Sequence, residues 1–186
     1  ISIGQGFNLV TPLQLVCAYS AFANGGTVWK PRLVNRIEST DGSLYKEFLP
    51  EKRGDLPFSE ETFDLLGRAL WGVVNESGGT GRAARRPDAD VCGKTGTAQI
   101  IGLPENEKAR REKKIGIFHR DHALFVCFAP LTNPEIAVAV IVENAGHGGT
   151  VAAPVARKIL DVYFEGKKSM AQPQAAVQGR LAEATD

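Results

Sequence analysis

The sequence predicts an α+β fold, because the chain contains both segments with helical spacing of apolar residues and segments rich in β-branched residues. Two helix starts are marked by capping residues, Thr11 before a proline and Ser59 before two glutamates. Segments 91–101, 121–129 and 135–142 are short, apolar and rich in β-branched residues, as strands are.

The composition indicates one domain with an ordinary core. The chain has 186 residues, of which 43% are apolar, and this length is sufficient to bury a hydrophobic core. With 22 basic and 21 acidic residues, the net charge of +1 gives no reason to expect nucleic acid or an anionic membrane as a partner. No apolar run in the sequence reaches the length of a membrane span. Because the chain begins at Ile1 and not at Met, we expect it to be part of a longer protein.

Both predicted helices carry an apolar stripe and are expected to contribute to the core. The first helix follows Thr11 and ends near Gly25-Gly26, since glycine commonly terminates helices. Its apolar residues are Leu13, Leu15, Val16, Tyr19 and Phe22. The second helix follows Ser59 and ends at Gly78-Gly79. The residues of its predicted buried stripe are Phe63, Leu66, Leu70, Val73 and Val74.

Segments 28–38 and 44–48 predict a β-hairpin, because Asp41-Gly42 between them is a strong turn signal. Ser43 and Lys46 in this hairpin fit the pattern Ser-x-x-Lys, in which a nucleophilic serine and a lysine lie on the same face of a helix. On a strand, residues three apart point to opposite faces. We therefore exclude these two residues as a catalytic pair.

The loop 78–87 carries three arginines, Arg82, Arg85 and Arg86. Such a cluster is most often solvated surface charge. Because the loop directly precedes the strand 91–101, the alternative is that it orients an anionic substrate. Cysteines 17, 92 and 127 are too few and too scattered for a disulfide scaffold and are expected to be small buried residues.

The strand 91–101 is unusual, because a lysine and two threonines stand where a buried strand would carry Val or Ile. Alternation of side chains predicts two faces: Lys94, Gly96 and Ala98 on one, and Thr95, Thr97 and Gln99 on the other. The glycine beside the lysine lets another backbone or a ligand come close. An ammonium group, two hydroxyls and an open backbone suit a substrate that carries a carboxylate and a peptide bond.

The strands 121–129 and 135–142 are expected to support the lysine strand from within the sheet. Asp121 and His122 lie near His119, but no further ligand cluster accompanies them, so we predict bracing hydrogen bonds and no metal site. The insert 102–120, which is charged and poor in apolar residues, is expected to be exposed.

The glycine-rich segment 145–150 predicts a flexible turn into a last helix over 151–164. That helix is expected to turn Val155, Ile159 and Val162 inward. His147 in the turn is a candidate for substrate contact, with a plain connection as the alternative. Residues 166–186 have no apolar stripe and are expected to be a disordered tail, which leaves 1–165 as the domain.

Several short motifs occur in an order that is specific to one family. They are Gly4-Gln5-Gly6, Thr11-Pro12-Leu13-Gln14-Leu15, Ala23-Asn24-Gly25-Gly26, Lys94-Thr95-Gly96-Thr97, Arg120-Asp121-His122 and Ile141-Val142-Glu143-Asn144. This series resembles the class B penicillin-binding proteins, and within them the elongation-specific branch, penicillin-binding protein 2. The resemblance covers about residues 1–165. It implies the penicilloyl serine transferase fold, an antiparallel sheet flanked by helices, of which this chain would hold the C-terminal part.

The resemblance also implies a D,D-transpeptidase that cross-links peptidoglycan stem peptides through an acyl-serine, is a target of β-lactams and uses no cofactor. Lys94 would supply positive potential in catalysis, and the hydroxyls of Thr95 and Thr97, on either side of Gly96, would hold the terminal carboxylate. The N–H of Thr97 would give half of the oxyanion hole. The supporting candidates are Gln99, Asp121, His122 and His147.

The sequence departs from the family in having no Ser-x-Asn and no Ser-x-x-Lys on a predicted helix. We therefore expect the nucleophilic serine, its lysine and the second serine to precede Ile1, and this chain alone to be inactive. The resemblance places the parent protein at the periplasmic face of the inner membrane, anchored by an N-terminal helix outside this chain, with cell-elongation proteins as partners. A serine β-lactamase, or a non-catalytic penicillin sensor or interaction domain, are the open alternatives.

Overall fold

The computed structural model describes residues 9–100 and 117–182, with side chains in the last helix described as far as Lys168. The predicted α+β fold class is confirmed. In chain order the elements are α1 (Pro12–Ala23), β1 (Thr27–Trp29), β2 (Arg36–Glu38), β3 (Leu44–Glu47), β4 (Lys52–Asp55), α2 (Glu60–Asn75), a 3-10 turn (Arg82–Ala84), β5 (Cys92–Ala98), a 3-10 turn (Ile117–His119), β6 (His122–Ala129), β7 (Ile136–Val142) and α3 (Ala152–Ala182).

Both helix starts predicted from capping residues are confirmed. Thr11 forms a capping box with Gln14: the Thr11 N–H donates to Gln14 Oε1 at 2.8 Å, and the Gln14 N–H donates to Thr11 Oγ1 at 3.2 Å. Ser59 Oγ accepts a hydrogen bond from the backbone N–H of Thr62 at 3.4 Å at the start of α2. The two helices therefore begin where local sequence alone fixes them.

The apolar stripes of these helices are buried less completely than predicted. On α1 only Ala21 is fully buried, while Leu15, Val16, Tyr19 and Phe22 are half-buried. Leu13 is 56% exposed, so its predicted place in the core is wrong for the described structure. On α2, Val74 is fully buried and the rest of the predicted stripe is half-buried.

The hairpin around Asp41-Gly42 is confirmed, but the long first strand predicted for it is wrong. Strands β2 and β3 form the hairpin, with Ile37 opposite Lys46. Residues 27–29 instead form β1, which pairs with β4, a strand that the sequence analysis did not predict. Pro31 stands between β1 and β2, and a proline has no N–H to donate to a strand ladder, so the segment divides there.

The structure supports the exclusion of Ser43 and Lys46 as a catalytic pair. Ser43 lies in the turn, where its hydroxyl donates to Asp41 Oδ1 at 2.7 Å. Lys46 lies on β3 and places its ammonium group 4.7 Å from the centre of the Phe48 ring. The two side chains have separate partners and do not share a helix face.

The main sheet consists of β5, β6 and β7, with β6 in the centre and both pairings antiparallel. Opposite β5, Phe125 of β6 pairs with Thr95, and Val126 pairs with Lys94. Phe125 belongs to the core cluster that includes Leu160 of α3. Phe128, also on β6, points to the opposite face of the sheet from Phe125, where it lines a cavity with residues of α1 and α2. Helices therefore cover both faces of an antiparallel sheet, as predicted.

The last helix packs on the sheet through a different face from the one predicted. Its fully buried residues are Ala152, Ala153, Ala156 and Leu160. Val155, Ile159 and Val162 are 40%, 42% and 74% exposed, so the prediction that they face inward is wrong. Short alanine side chains let the helix backbone approach the sheet closely, and a choice based on hydrophobicity alone favours the larger residues instead.

Helix α3 also continues past the predicted end at residue 164, as far as Ala182. Just beyond that end, Lys168 Nζ lies 2.6 Å from Asp88 Oδ2, and Lys167 forms an ion pair with Glu135. The structure thus describes helix where a disordered tail was expected from Gly166 onward. The division of the chain at residue 165 stays a prediction.

Cys92 and Cys127 are fully buried, as predicted for small core residues, and Cys17 is half-buried. Burial raises the pKa of both buried thiols to about 12. The predicted insert 102–120 lies outside the described residues except for its end, where Phe118 is 81% exposed. Within residues 9–100 and 117–182, no helix is long and apolar enough to span a membrane.

Candidate active site

A groove of about 660 Å³ lies beside β5. Three segments line this groove: the loop 79–83 that follows α2, residues 95–97 of β5, and the loop 147–150 that precedes α3. The strand was predicted, His147 was a candidate, and the loop after α2 was considered as an alternative because of its arginines, whereas the place of Thr80 in the lining was not predicted.

The C-terminal end of α2 is fastened to the start of β5. Trp71 Nε1 donates to Asp90 Oδ1 at 2.8 Å, and Asn75 Nδ2 donates to the carbonyl of Val91 at 3.0 Å. These bonds join helix and strand on both sides of the loop that carries the groove lining. The loop is therefore held between two fixed ends.

Thr95, Gly96 and Thr97 all line the groove, as the predicted substrate-binding role requires. Thr95 Oγ1 lies 2.9 Å from Thr80 Oγ1, so the strand and the loop are joined by a hydroxyl pair. Gln99 differs from the prediction, because β5 ends at Ala98 and Gln99 follows it as an exposed residue. The proposed shared face of Thr95, Thr97 and Gln99 therefore holds only for the two threonines.

Lys94 lines a cavity next to the groove, whereas Gly96, which was predicted to share its face, lines the groove itself. This cavity, of about 510 Å³, is also lined by Arg68 of α2 and by Glu76, which follows that helix. Lys94 Nζ donates to the carbonyl of Thr95 at 3.1 Å and reaches Thr95 Oγ1 at 3.4 Å. Thr80 lines both this cavity and the groove, so it lies where the two meet.

The glycines of the loop 147–150 permit direct contact between backbones. A Cβ on Gly148 would lie 2.0 Å from the carbonyl oxygen of Leu124 and 2.6 Å from that of Gly96. A Cβ on Gly149 would lie 2.3 Å from the carbonyl oxygen of Thr80. The turn that was predicted to be flexible is thus closely packed on both strands and on the loop after α2. This packing places the exposed His147 in the groove lining.

The three arginines of the loop before β5 have different environments. Arg82 is exposed and lines the groove, while its Nη1 donates to the carbonyl of Ser77 at 3.2 Å. Arg85 is exposed, and its carbonyl accepts a hydrogen bond from Arg157. Arg86 is only 6% exposed, so neither of the two functions considered for the cluster describes it.

Arg86 ties the loop to α3. Its Nε and Nη2 donate to the two carboxylate oxygens of Asp88 at 2.9 and 2.8 Å, and its Nη1 donates to Asp161 of α3. The Phe164 ring lies 5.1 Å from the guanidinium carbon. Hydrogen bonds from Arg86 and Lys168 hold the pKa of Asp88 well below its usual range.

Asp121 and His122 brace the structure near the end of the groove, as predicted. The backbone N–H of Asn144 donates to His122 Nδ1 at 3.0 Å, and the N–H of Gly146 donates to the carbonyl of Asp121 at 2.8 Å. Asn144 has a positive φ of 54°, and its Nδ2 donates to the carbonyls of Phe118 and Arg120. The sequence did not lead us to predict Asn144 as a turn residue, although asparagine adopts a positive φ more readily than most residues.

The electrostatic character of the groove favours an anionic ligand. Among the described residues that line it, Arg82 and His147 are the titratable ones, and none is a carboxylate. Four threonine hydroxyls add donors that need no charge. In the described parts of the chain, no three His, Cys, Asp or Glu side chains are grouped so that they could bind a metal ion.

The sequence matches the penicillin-binding protein transpeptidase domain over residues 1–161. The chain therefore belongs to this family, as the order of its motifs predicted. The peptidoglycan D,D-transpeptidase MrdA of Haemophilus influenzae is 37% identical to it, in an alignment that covers 97% of this chain and 30% of that protein.

Solved structures of related proteins confirm the fold. Penicillin-binding protein A of M. tuberculosis, as an imipenem acyl-enzyme complex, has a TM-score of 0.70 and 26% identity over 88% of this chain and 33% of its own. Pseudomonas aeruginosa PBP2, in complex with WCK 5153, has a TM-score of 0.67 and 34% identity over 88% of this chain and 32% of its own. The chain thus spans about a third of the length of these relatives.

Proposed function

We propose that the chain is the C-terminal part of a peptidoglycan D,D-transpeptidase of the elongation-specific type. The observation that carries this proposal is the groove beside β5, where Thr95, Gly96 and Thr97 face a ligand space lined by Arg82 and His147. The likeness to MrdA of Haemophilus influenzae supports the assignment to the same reaction.

The groove suits the end of a peptide that carries a carboxylate. The hydroxyls of Thr95 and Thr97 are the proposed ligands of that carboxylate, and the positive charge of Arg82 attracts it. Strand β5 lies at one edge of the described sheet, so an extended stem peptide has a strand edge to lie along. The backbone N–H of Thr97 is the proposed half of the oxyanion hole.

The nucleophile of this reaction is proposed to lie N-terminal to Ile1, in the same protein. Its hydroxyl oxygen attacks the amide carbon between two D-alanines, the C–N bond breaks, and the last D-alanine leaves with the proton of the hydroxyl on its amine. An amine of a second stem peptide then attacks the ester, and the oxygen returns to serine with a proton. Lys94 is proposed to supply positive potential beside the reacting groups, from the cavity that adjoins the groove.

The wider assignment follows from the same proposal. We propose β-lactams as ligands because penicillin-binding protein A of M. tuberculosis forms an imipenem acyl-enzyme. The proposed location is the periplasmic face of the inner membrane, with an N-terminal anchoring helix outside this chain. The proposed partners are proteins of the cell-elongation machinery.

Labelling with a fluorescent penicillin tests the proposal. We expect the full-length protein to be acylated at a serine before Ile1, with slow release, and this chain alone to remain unlabelled. Lys94→Gln in the full-length protein should lower the acylation rate about a hundredfold, since it removes a charged donor. Lys158→Gln, on the exposed side of α3, is the matched control and should leave the rate unchanged.

Each other outcome overturns a defined part of the proposal. An adduct on a serine of this chain would show that the nucleophile is misplaced. Rapid release of the adduct would indicate a β-lactamase, and no adduct on the full-length protein would indicate a non-catalytic domain. The mass of the labelled peptide identifies the serine.

A further inference from the structure

Thr80 lines the groove, and the proposed reaction does not use its contact with Thr95. It lies in the loop after α2, beside Thr95 in the groove lining, and its Oγ1 is 2.9 Å from Thr95 Oγ1. It was not recognised in the sequence, because the two hydroxyls are 15 positions apart and belong to different elements.

The backbone that carries Thr80 is fixed from three sides. The N–H of Gly81 donates to the carbonyl of Val73 in α2 at 2.8 Å, and the N–H of Ala84 donates to the carbonyl of Gly81 at 2.9 Å. Ala84 is fully buried. On the third side, Gly149 packs so closely on the Thr80 carbonyl that a Cβ there would lie 2.3 Å from its oxygen. The position of the Thr80 backbone is therefore set by packing that does not depend on a ligand, and the hydroxyl that it carries lies next to Thr95.

The hydrogen-bond inventory of Thr95 limits what its hydroxyl can do. A threonine hydroxyl has one proton to donate and two lone pairs that accept. Lys94 has only donors, and its Nζ is 3.4 Å from Thr95 Oγ1, so the Thr95 oxygen accepts on that side. The single Thr95 proton then goes either to Thr80 or into the groove.

An anionic group in the groove decides between these two arrangements. If Thr95 donated to Thr80, a carboxylate beside Thr95 would meet an oxygen lone pair, which repels it. If Thr80 donates to Thr95, the Thr95 proton is available to the carboxylate, and the two bonds in series strengthen each other. The 2.9 Å distance between the hydroxyl oxygens is suitable for either direction.

We propose that Thr80 is a positioning residue, whose hydroxyl donates to Thr95 Oγ1 and so directs the Thr95 proton onto the carboxylate of the bound substrate. This inference rests on the proposed transpeptidase function and adds the residue that orients its carboxylate ligand. Thr80 itself does not contact the reacting atoms in this arrangement. Its effect is transmitted through Thr95 alone.

A matched pair of ligands isolates this effect in the full-length protein. Benzylpenicillin carries a free carboxylate, and its methyl ester is the same molecule with that charge removed. The acylation rate constant is measured with both ligands for the unmutated protein and for Thr80→Val, Thr80→Ser and Thr132→Val. Thr132 is an exposed residue of the β6–β7 loop and controls for the loss of a threonine hydroxyl.

We expect Thr80→Val to lower the ratio of acid to ester rates about tenfold, because an oriented donor to a charged group is lost. Thr80→Ser keeps the hydroxyl and should keep the ratio within about twofold, and Thr132→Val should leave it unchanged. Equal slowing with acid and ester in Thr80→Val would overturn the inference, since it would show a structural role only. An unchanged ratio in Thr80→Val overturns it as well.

The same measurements separate this inference from the proposed function. If benzylpenicillin does not acylate the unmutated protein, the transpeptidase assignment fails and the inference fails with it. If the unmutated protein is acylated and Thr80→Val keeps the acid-to-ester ratio, only the role of Thr80 is overturned. Thermal melting of each variant confirms that the comparison is made between folded proteins.

Discussion

The segment 27–58 and the sheet β5–β7 are both antiparallel, yet they are built in opposite ways. In the hairpin of β2 and β3 every residue is exposed, including Leu44 at 59% and Tyr45 at 76%. In the main sheet, Cys92 and Phe125 are fully buried. The described core residues come from the main sheet, from the helices that cover it and from the loop between α2 and β5.

The comparison shows where the groove obtains its rigidity. Removing apolar surface from water stabilises by roughly 25 cal/mol per Å², so the buried sheet contributes far more than the exposed hairpin. The small sheets also carry surface ion pairs, such as Lys30 with Glu51 and Lys52 with Asp55, each at 2.7 Å. Exposed pairs of this kind are each worth less than about 1 kcal/mol. The groove residues belong to β5 of the well-packed main sheet and to the loops that contact it.

The largest expected difference between the two regions is in core truncation. Leu160 of α3 is fully buried against the sheet, and Leu160→Ala is expected to lower the free energy of unfolding by about 3 kcal/mol. Leu44→Ala in the exposed hairpin is expected to change it by about 0.5 kcal/mol or less. Urea unfolding of both variants measures the two values. Similar losses in the two variants would show that the hairpin is packed against another surface.

Two glycine substitutions, one in the groove loop and one in β4, compare how closely the two regions are packed. Gly148→Ala places a Cβ against the carbonyl oxygens of Leu124 and Gly96, so the loop must move. We expect the free energy of unfolding to fall by about 2 kcal/mol. Gly54→Ala in β4 meets no atom within 4 Å and is expected to be nearly neutral or slightly stabilising. Melting temperatures separate the two variants.

The acylation rate gives a second measurement for the same pair. We expect Gly148→Ala to slow acylation of the full-length protein by benzylpenicillin, because displacement of the loop opens the groove. Gly54→Ala should leave that rate unchanged. If Gly148→Ala acylates at the unmutated rate, the loop 147–150 does not shape the binding site.

Local features of the chain were predictable from sequence, and contacts between distant residues were not. The caps at Thr11 and Ser59 need only three or four neighbouring residues, so their sequence signature is sufficient. The antiparallel strands β6 and β7 were recognisable because their β-branched and apolar runs are continuous, and β5 because apolar residues flank its polar motif.

The failures have a common physical cause, which is packing between elements. The buried face of α3 consists mainly of alanines, whose small size matters only once the sheet beneath them is known. The sequence favours a solvated surface position for Arg86, yet Asp88, Asp161 and Phe164 contact its guanidinium group. Of the groove, the sequence indicated the strand motif and His147, whereas the contribution of Thr80 depends on a contact that only the fold creates.

The smallest expected effect is a difference in acid sensitivity between the two regions. Asp88 and Asp55 both have a lowered pKa: Asp88 because Arg86 and Lys168 donate to it, and Asp55 because Lys52 does. A carboxyl whose pKa is lower in the folded protein stabilises it above the unfolded pKa of about 4, and this contribution is lost as the pH falls through the folded pKa. The unmutated protein should therefore lose stability as the pH falls below about 4.

Asp88→Asn tests which region carries that loss. At pH 6 the variant should be less stable than the unmutated protein, because the carboxylate that Arg86 binds is gone. As the pH falls below about 4 the difference should shrink, since the unfolded chain takes up a proton that folded Asp88 does not, and it should close only when the pH passes below the folded pKa. Asp55→Asn removes a carboxyl whose pKa is also lowered but whose charge is screened by solvent, so its stability difference from the unmutated protein should be smaller and should change much less with pH. Convergence for Asp55→Asn and not for Asp88→Asn would show that the small sheets, and not the link between the groove loop and α3, are the acid-sensitive part of the molecule.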